Sequence, residues 1–104
     1  MELYDKLKSI KEKFDKINEQ LSDPAVHLDQ KKLIALSRER SDLTPLIEAY
    51  NEYDYLAKNI SGNQEIIDIG EDKELVDIAE SELKELKEKL AAMDEKIKFL
   101  FYRF

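Results

Sequence analysis

The sequence contains no cysteine and no tryptophan, and its 104 residues include only two glycines, two prolines and one histidine. Without cysteine there are no disulfides, zinc–thiolate sites or cysteine nucleophiles. That absence accords with a reducing, cytoplasmic setting. The single histidine, His27, has no second imidazole or thiol with which to form a metal site or a nucleophile–base pair. Two separated glycines, Gly62 and Gly70, cannot build a glycine-rich phosphate loop. No apolar run approaches membrane-spanning length. The opening from Met1 to Phe14 is charged throughout, unlike a secretory signal. These gaps lead us to expect no enzyme, no cofactor, no metal and no membrane contact.

What remains is 42% hydrophobic and 39% charged, with a formal net charge of −7. The charge is uneven: residues 1–22 are net 0, residues 23–62 net −2 and residues 63–104 net −5. A nucleic-acid domain shows a basic footprint, and this chain as a whole does not, so direct DNA binding is not expected. Lys31, Lys32 and Arg38 form the one basic patch free of many acids. They are the candidate contact to an acidic partner, against the plainer reading of a solvated helix face. Tyr50, Tyr53 and Tyr55 alternate with Glu48, Glu52 and Asp54, which would repel a phosphate backbone; core packing is the better reading for Tyr50 and Tyr53. The run from Asp68 to Asp72 has the acids of a calcium loop but not its spacing, because the twelfth position is Ala79. Helix capping is the better reading there.

Hydrophobic period supplies the fold. Leu3, Leu7, Ile10, Phe14, Ile17 and Leu21 alternate spacings of four and three, as in a coiled-coil seam. Acid–lysine pairs at four residues, Glu2 with Lys6 and Glu12 with Lys16, flank that seam. Ser22-Asp23-Pro24 ends the stretch, with Asp23 able to cap a new turn that begins on Pro24. A second stretch opens on Asp29 as N-cap. Its stripe is Leu33, Leu36, Leu43, Ile47, Tyr50, Ala57, Ile60 and Ile67, with Arg40 at a seam position where its stem can lie along the core edge. Pro45 sits inside this stretch, yet the stripe keeps phase across it. That predicts a kinked helix, a break after Leu43 being the alternative. The third stripe, Val76, Ala79, Leu83, Leu86, Leu90, Met93, Ile97 and Leu100, has no lapse. The prediction is an all-α, elongated, antiparallel three-helix bundle of coiled-coil type. It forms one domain over 1–104, with helices at about 2–22, 29–68 and 72–100. Ideal lengths would be roughly 30, 60 and 40 Å.

Several blocks carry a further signal: Leu21-Ser22-Asp23-Pro24-Ala25-Val26, Asp29-Gln30-Lys31-Lys32, Leu36-Ser37-Arg38-Glu39-Arg40-Ser41-Asp42-Leu43, Pro45-Leu46-Ile47-Glu48-Ala49-Tyr50 and Glu52-Tyr53. Together they resemble the N-terminal helical domain of the bacterial class I peptide chain release factors that read UAA and UAG. The stretch from Glu74 to Leu100, with Ala79-Glu80-Ser81-Glu82-Leu83, is similar to the same family, so the likeness runs along nearly the whole chain in order. It implies a factor that triggers peptidyl-tRNA hydrolysis at a stop codon on the ribosome. The family's Gly-Gly-Gln loop and Pro-x-Thr codon-reading tripeptide belong to later domains. Neither occurs here, so no catalytic residue carries over. The implied partners are the GTPase-associated region of the large ribosomal subunit and the termination GTPase. The competing reading is a stand-alone coiled-coil scaffold or adaptor. The end, Phe99-Leu100-Phe101-Tyr102-Arg103-Phe104, departs from the family pattern, and its aromatic residues offer a route to self-association.

Overall fold

The computed structural model describes residues 2–103, apart from the side chain of Glu2. Four helices follow in order: α1 (Glu2–Leu21), α2 (Pro24–His27), α3 (Gln30–Ile69) and α4 (Lys73–Phe101). The class is all-α. The one element beyond the three periodic stretches is α2, a single turn too short to show a hydrophobic period. Two compact units are present, Met1–Glu48 and Ala49–Phe104.

In the first unit, α1 buries the face its period marks. Leu7, Phe14 and Ile17 are buried, and Leu3, Ile10 and Leu21 are half-buried. Phe14 and Ile17 form a cluster with Leu43 and Ile47 of α3, with Ile10, Leu21 and Leu36 packed against it. An ion pair along α1 joins Lys11 to Asp15 at 3.8 Å, one register from the Glu12–Lys16 pair read in the sequence. The Glu2–Lys6 pairing lies outside the described side chains.

The junction after α1 is built from hydrogen bonds. Ser22 Oγ donates to the Asn18 carbonyl at 3.0 Å. Asp23, in an extended conformation, accepts from the Ala25 N–H at 3.0 Å, with Pro24 in the first turn of α2. Proline suits that place because the first N–H groups of a helix have no partner within it. Val26 is buried, tying α2 to the end of α1. His27 Nε2 lies 2.6 Å from the Leu21 carbonyl. A carbonyl can only accept, so this nitrogen carries the proton and closes the last turn of α1.

Helix α3 begins under Asp29, whose side chain accepts from the Lys32 N–H at 3.2 Å. It runs unbroken through Pro45. Proline has no N–H, so the Ser41 carbonyl loses its helical donor. One residue away, Thr44 Oγ1 donates to the Arg40 carbonyl at 2.7 Å. Around Pro45 the buried face of α3 moves. Up to it the stripe is Leu33, Leu36 and Leu43, carried one step past the proline by Ile47. Beyond it a second run of threes and fours, one residue out of register, takes in Leu46, Ala49, Tyr53, Leu56, Ile60, Asn63 and Ile67, all buried or half-buried. A single stripe carried across Pro45 misses Leu46, Ala49 and Leu56, all at or below 4% exposure.

In the second unit, Gly70 ends α3 at φ 64°, a left-handed conformation natural to glycine. Its N–H donates to the Ile66 carbonyl at 3.0 Å. Asp72 then caps α4, accepting from Glu74 N–H at 3.0 Å and Leu75 N–H at 3.4 Å. Helix capping is thus the work of this acidic turn. All eight positions of the α4 stripe are buried or half-buried, with Ala79, Leu83 and Ile97 deepest.

Candidate partner-binding surfaces

The basic candidates stand at the start of α3. Lys31, Lys32 and Arg38 are all exposed. Lys31 and Arg38 are seven residues apart, so they share the outer face of α3, about 10 Å along its axis and opposite the Leu36–Leu43 seam. Lys32 lies about 100° around the helix and is not brought into line with them. The first turn of α3 contains no acidic residue. Two lysines there sit beside the partial positive charge of the helix end, an arrangement that opposes helix stability. Only the capping carboxylate of Asp29 offsets it locally.

Arg40 has a different task. Its guanidinium carbon sits 5.3 Å from the Phe14 ring centroid, and its Nε donates to Asn18 Oδ1 at 2.5 Å. Beside it, Lys13 Nζ meets Glu39 Oε1 at 2.7 Å. These contacts fasten α1 to α3 above the Phe14 cluster, so Arg40 belongs to the fold rather than to the basic patch. The sequence flagged its seam position and its long stem; the asparagine partner was not legible.

The tyrosines separate. Tyr50 and Tyr53 are half-buried, and Tyr55 is exposed at 63%. At the far end of α4, Phe99 and Tyr102 are exposed. Arg103 lies over the Phe99 ring at 5.5 Å, and Phe101 meets Tyr102 edge-on with 5.2 Å between centroids. Phe104, the last residue of that aromatic tail, lies outside the described residues.

Two open depressions flank the pair formed by the rear half of α3 and α4. One, of about 740 Å³, lies beside Ile60, Gln64, Asp68 and Lys87. The other, of about 380 Å³, lies beside Tyr55, Asn59, Glu82, Glu85 and Lys89. Both open widely to solvent. Among the described residues no group of acids and His27 is arranged to hold a metal ion, and no helix is long and apolar enough to cross a membrane. The surfaces offer charge and apolar contact.

Comparison with known proteins identifies the family. Residues 10–103 match the model of the PCRF domain, and the chain belongs to that family. It is 42% identical over 98 residues to peptide chain release factor 1 of Flavobacterium psychrophilum, a match spanning 94% of this chain and 28% of that protein. It is 39% identical over 101 residues to the protein of the same name from Streptococcus agalactiae, covering 96% of this chain and 28% of the relative. The Listeria welshimeri protein is 36% identical over 98 residues, 94% of this chain and 27% of its own length. The chain therefore spans less than a third of these relatives, over their N-terminal domain. No solved structure matches it.

Proposed function

We propose that this chain is the positioning domain of a translation termination factor, which acts on the ribosome where a stop codon directs release of the nascent peptide. The observation that carries this reading is the PCRF match over residues 10–103, joined to relatives named peptide chain release factor 1. The domain itself performs no hydrolysis. Its part is to hold the factor against the GTPase-associated region of the large subunit and the GTPase that recycles it. Lys31, Lys32 and Arg38 are the side chains proposed for the anionic side of that contact. Their support is physical: two lysines occupy a helix end that disfavours cations, where a purely structural surface would carry acids.

Two assays test the reading. The chain should co-sediment with bacterial ribosomes and release no peptide from stop-programmed complexes. Reversing the charge at Lys31 and Arg38 should weaken co-sedimentation about tenfold and lower its salt dependence, as expected when phosphate contacts are removed. Peptide release by the chain alone would overturn the positioning role, and absence of any ribosome binding would overturn the proposed partner. A ribosome-free scaffold, the competing reading, would instead self-associate with concentration in light scattering, through the exposed Phe99 and Tyr102.

A further inference from the structure

The smaller depression extends into an apolar strip. Its walls include Tyr55 and Asn59 on α3 and Glu82 and Glu85 on α4. Ile66 lies seven residues beyond Asn59, and Leu75 and Ile78 lie seven and four residues before Glu82. Steps of four and seven return to the same side of a helix, so all three stand on the side of the α3–α4 pair where the depression lies. They are large apolar residues left in water: Tyr55 is 63% exposed, Ile66 40%, Leu75 52% and Ile78 56%. From Glu52 to Ile66 the strip runs about 21 Å, the length of some fourteen helical residues.

The charge around this strip selects the occupant. Residues 65–82 hold eight acids and one lysine, net −7, which equals the net charge of the whole chain. Inside the depression, Glu52, Glu82 and Glu85 face a single cation, Lys89, already paired with Glu85 at 3.2 Å. Phosphate backbones are repelled by such a surface. A helix with an apolar stripe and lysines or arginines on its flanks meets both features at once, since leucine-like side chains cover the isoleucines while the bases reach the glutamates. Two helices side by side also leave a groove that a third helix fills by ordinary bundle packing.

We infer that this side of the α3–α4 pair is a docking groove for a basic amphipathic helix of a protein partner. The inference goes beyond the ribosomal reading and does not depend on it. A fluorescein-labelled 18-residue peptide of leucines at helical spacing and lysines elsewhere serves as the probe, followed by anisotropy with the full chain. The peptide should bind about tenfold more tightly than a composition-matched scramble and than its glutamate counterpart, and more tightly than a short RNA hairpin. Leu75→Ser with Ile78→Ser should weaken binding about tenfold, as should Glu82→Lys with Glu85→Lys, whereas Ala35→Ser on the front half of α3 should leave it unchanged. Because the substituted side chains are exposed, circular dichroism should match the parent chain. If the serine pair unfolds, the lysine pair decides the matter. No binding, equal binding of the scramble, equal binding by the folded variants, or tighter binding of the RNA each overturns the inference.

Discussion

Among the described residues, the first unit has polar side chains that reach between its helices, whereas the ion pairs of the second run along single helices. Lys13 meets Glu39, and Arg40 grips both Phe14 and Asn18 from the opposite helix. In the second unit, Lys58–Asp54, Lys89–Glu85 and Lys98–Asp94 are all spaced four residues apart on one helix. Such pairs add a few tenths of a kcal/mol each to the helix and nothing to the join between helices. In the second unit apolar packing and the turn at Gly70 help to join the helices. That unit also leaves Ile66, Ile69, Leu75 and Ile78 in water. The first unit leaves fewer large aliphatic side chains in water, Leu28 and Ile34.

The contrast can be broken most forcefully from the core. Ile17→Ala in the first unit and Ile97→Ala in the second each remove a side chain at or below 3% exposure, and each should cost about 2–4 kcal/mol in chemical denaturation. Hydrogen exchange should show the protection loss concentrated in the substituted unit; loss spread evenly over both would show that they unfold as one. Next in size, Gly70→Ala forces a side chain into φ 64° and should lower stability by about 1–2 kcal/mol, seen as a drop in melting temperature. Close behind it, Arg40→Ala should cost about 1 kcal/mol through the lost ring contact and hydrogen bond. Gly62→Ala works the other way: nothing lies within 4 Å of the added methyl group, so the helix should gain up to about 1 kcal/mol.

The smallest effect is that of pH on the intrahelical pairs. The Asp54 carboxylate, by hydrogen bond and then by charge, raises the Lys58 pKa, and Asp94 acts likewise on Lys98. A raised lysine stabilises the fold fully below the unfolded lysine value and loses that contribution as pH climbs through the folded one. Both ammonium groups are solvent-exposed, so denaturation midpoints should be flat through neutral pH and fall slightly only on the alkaline side of the lysine range.

Sequence reading served these regions unequally, for a physical reason. Helices α1 and α4 each bury one unchanging stripe, so Leu7, Phe14 and Ile17, or Ala79, Leu83 and Ile97, could be named from spacing alone. Helix α3 buries one stripe before Pro45 and another after it, and a single period cannot describe both. Leu46, Ala49 and Leu56 therefore escaped, while Ala57 was set in a stripe where Leu56 is the deeper residue. Helix α2 is a single turn, too short for a period to repeat. Lys31, Lys32 and Arg38 were legible as charge, but alignment on one face holds for only two of them. The apolar strip of Tyr55, Ile66, Leu75 and Ile78 was hidden because it depends on which side of a helix pair stays open, a property of packing rather than of either helix.

The closure of α1 by His27 has a practical consequence. The chain contains one imidazole, and its Nε2 proton is committed to the Leu21 carbonyl. A single histidine resonance in a nuclear magnetic resonance spectrum therefore reports on one place, the joint between α1 and α2, with no assignment problem. Fraying of that joint, whether by heat, by substitution or by a partner seated nearby on Lys31, would register there as an imidazole released to water. The molecule thus carries its own probe at the seam between its first helix and its candidate basic contact.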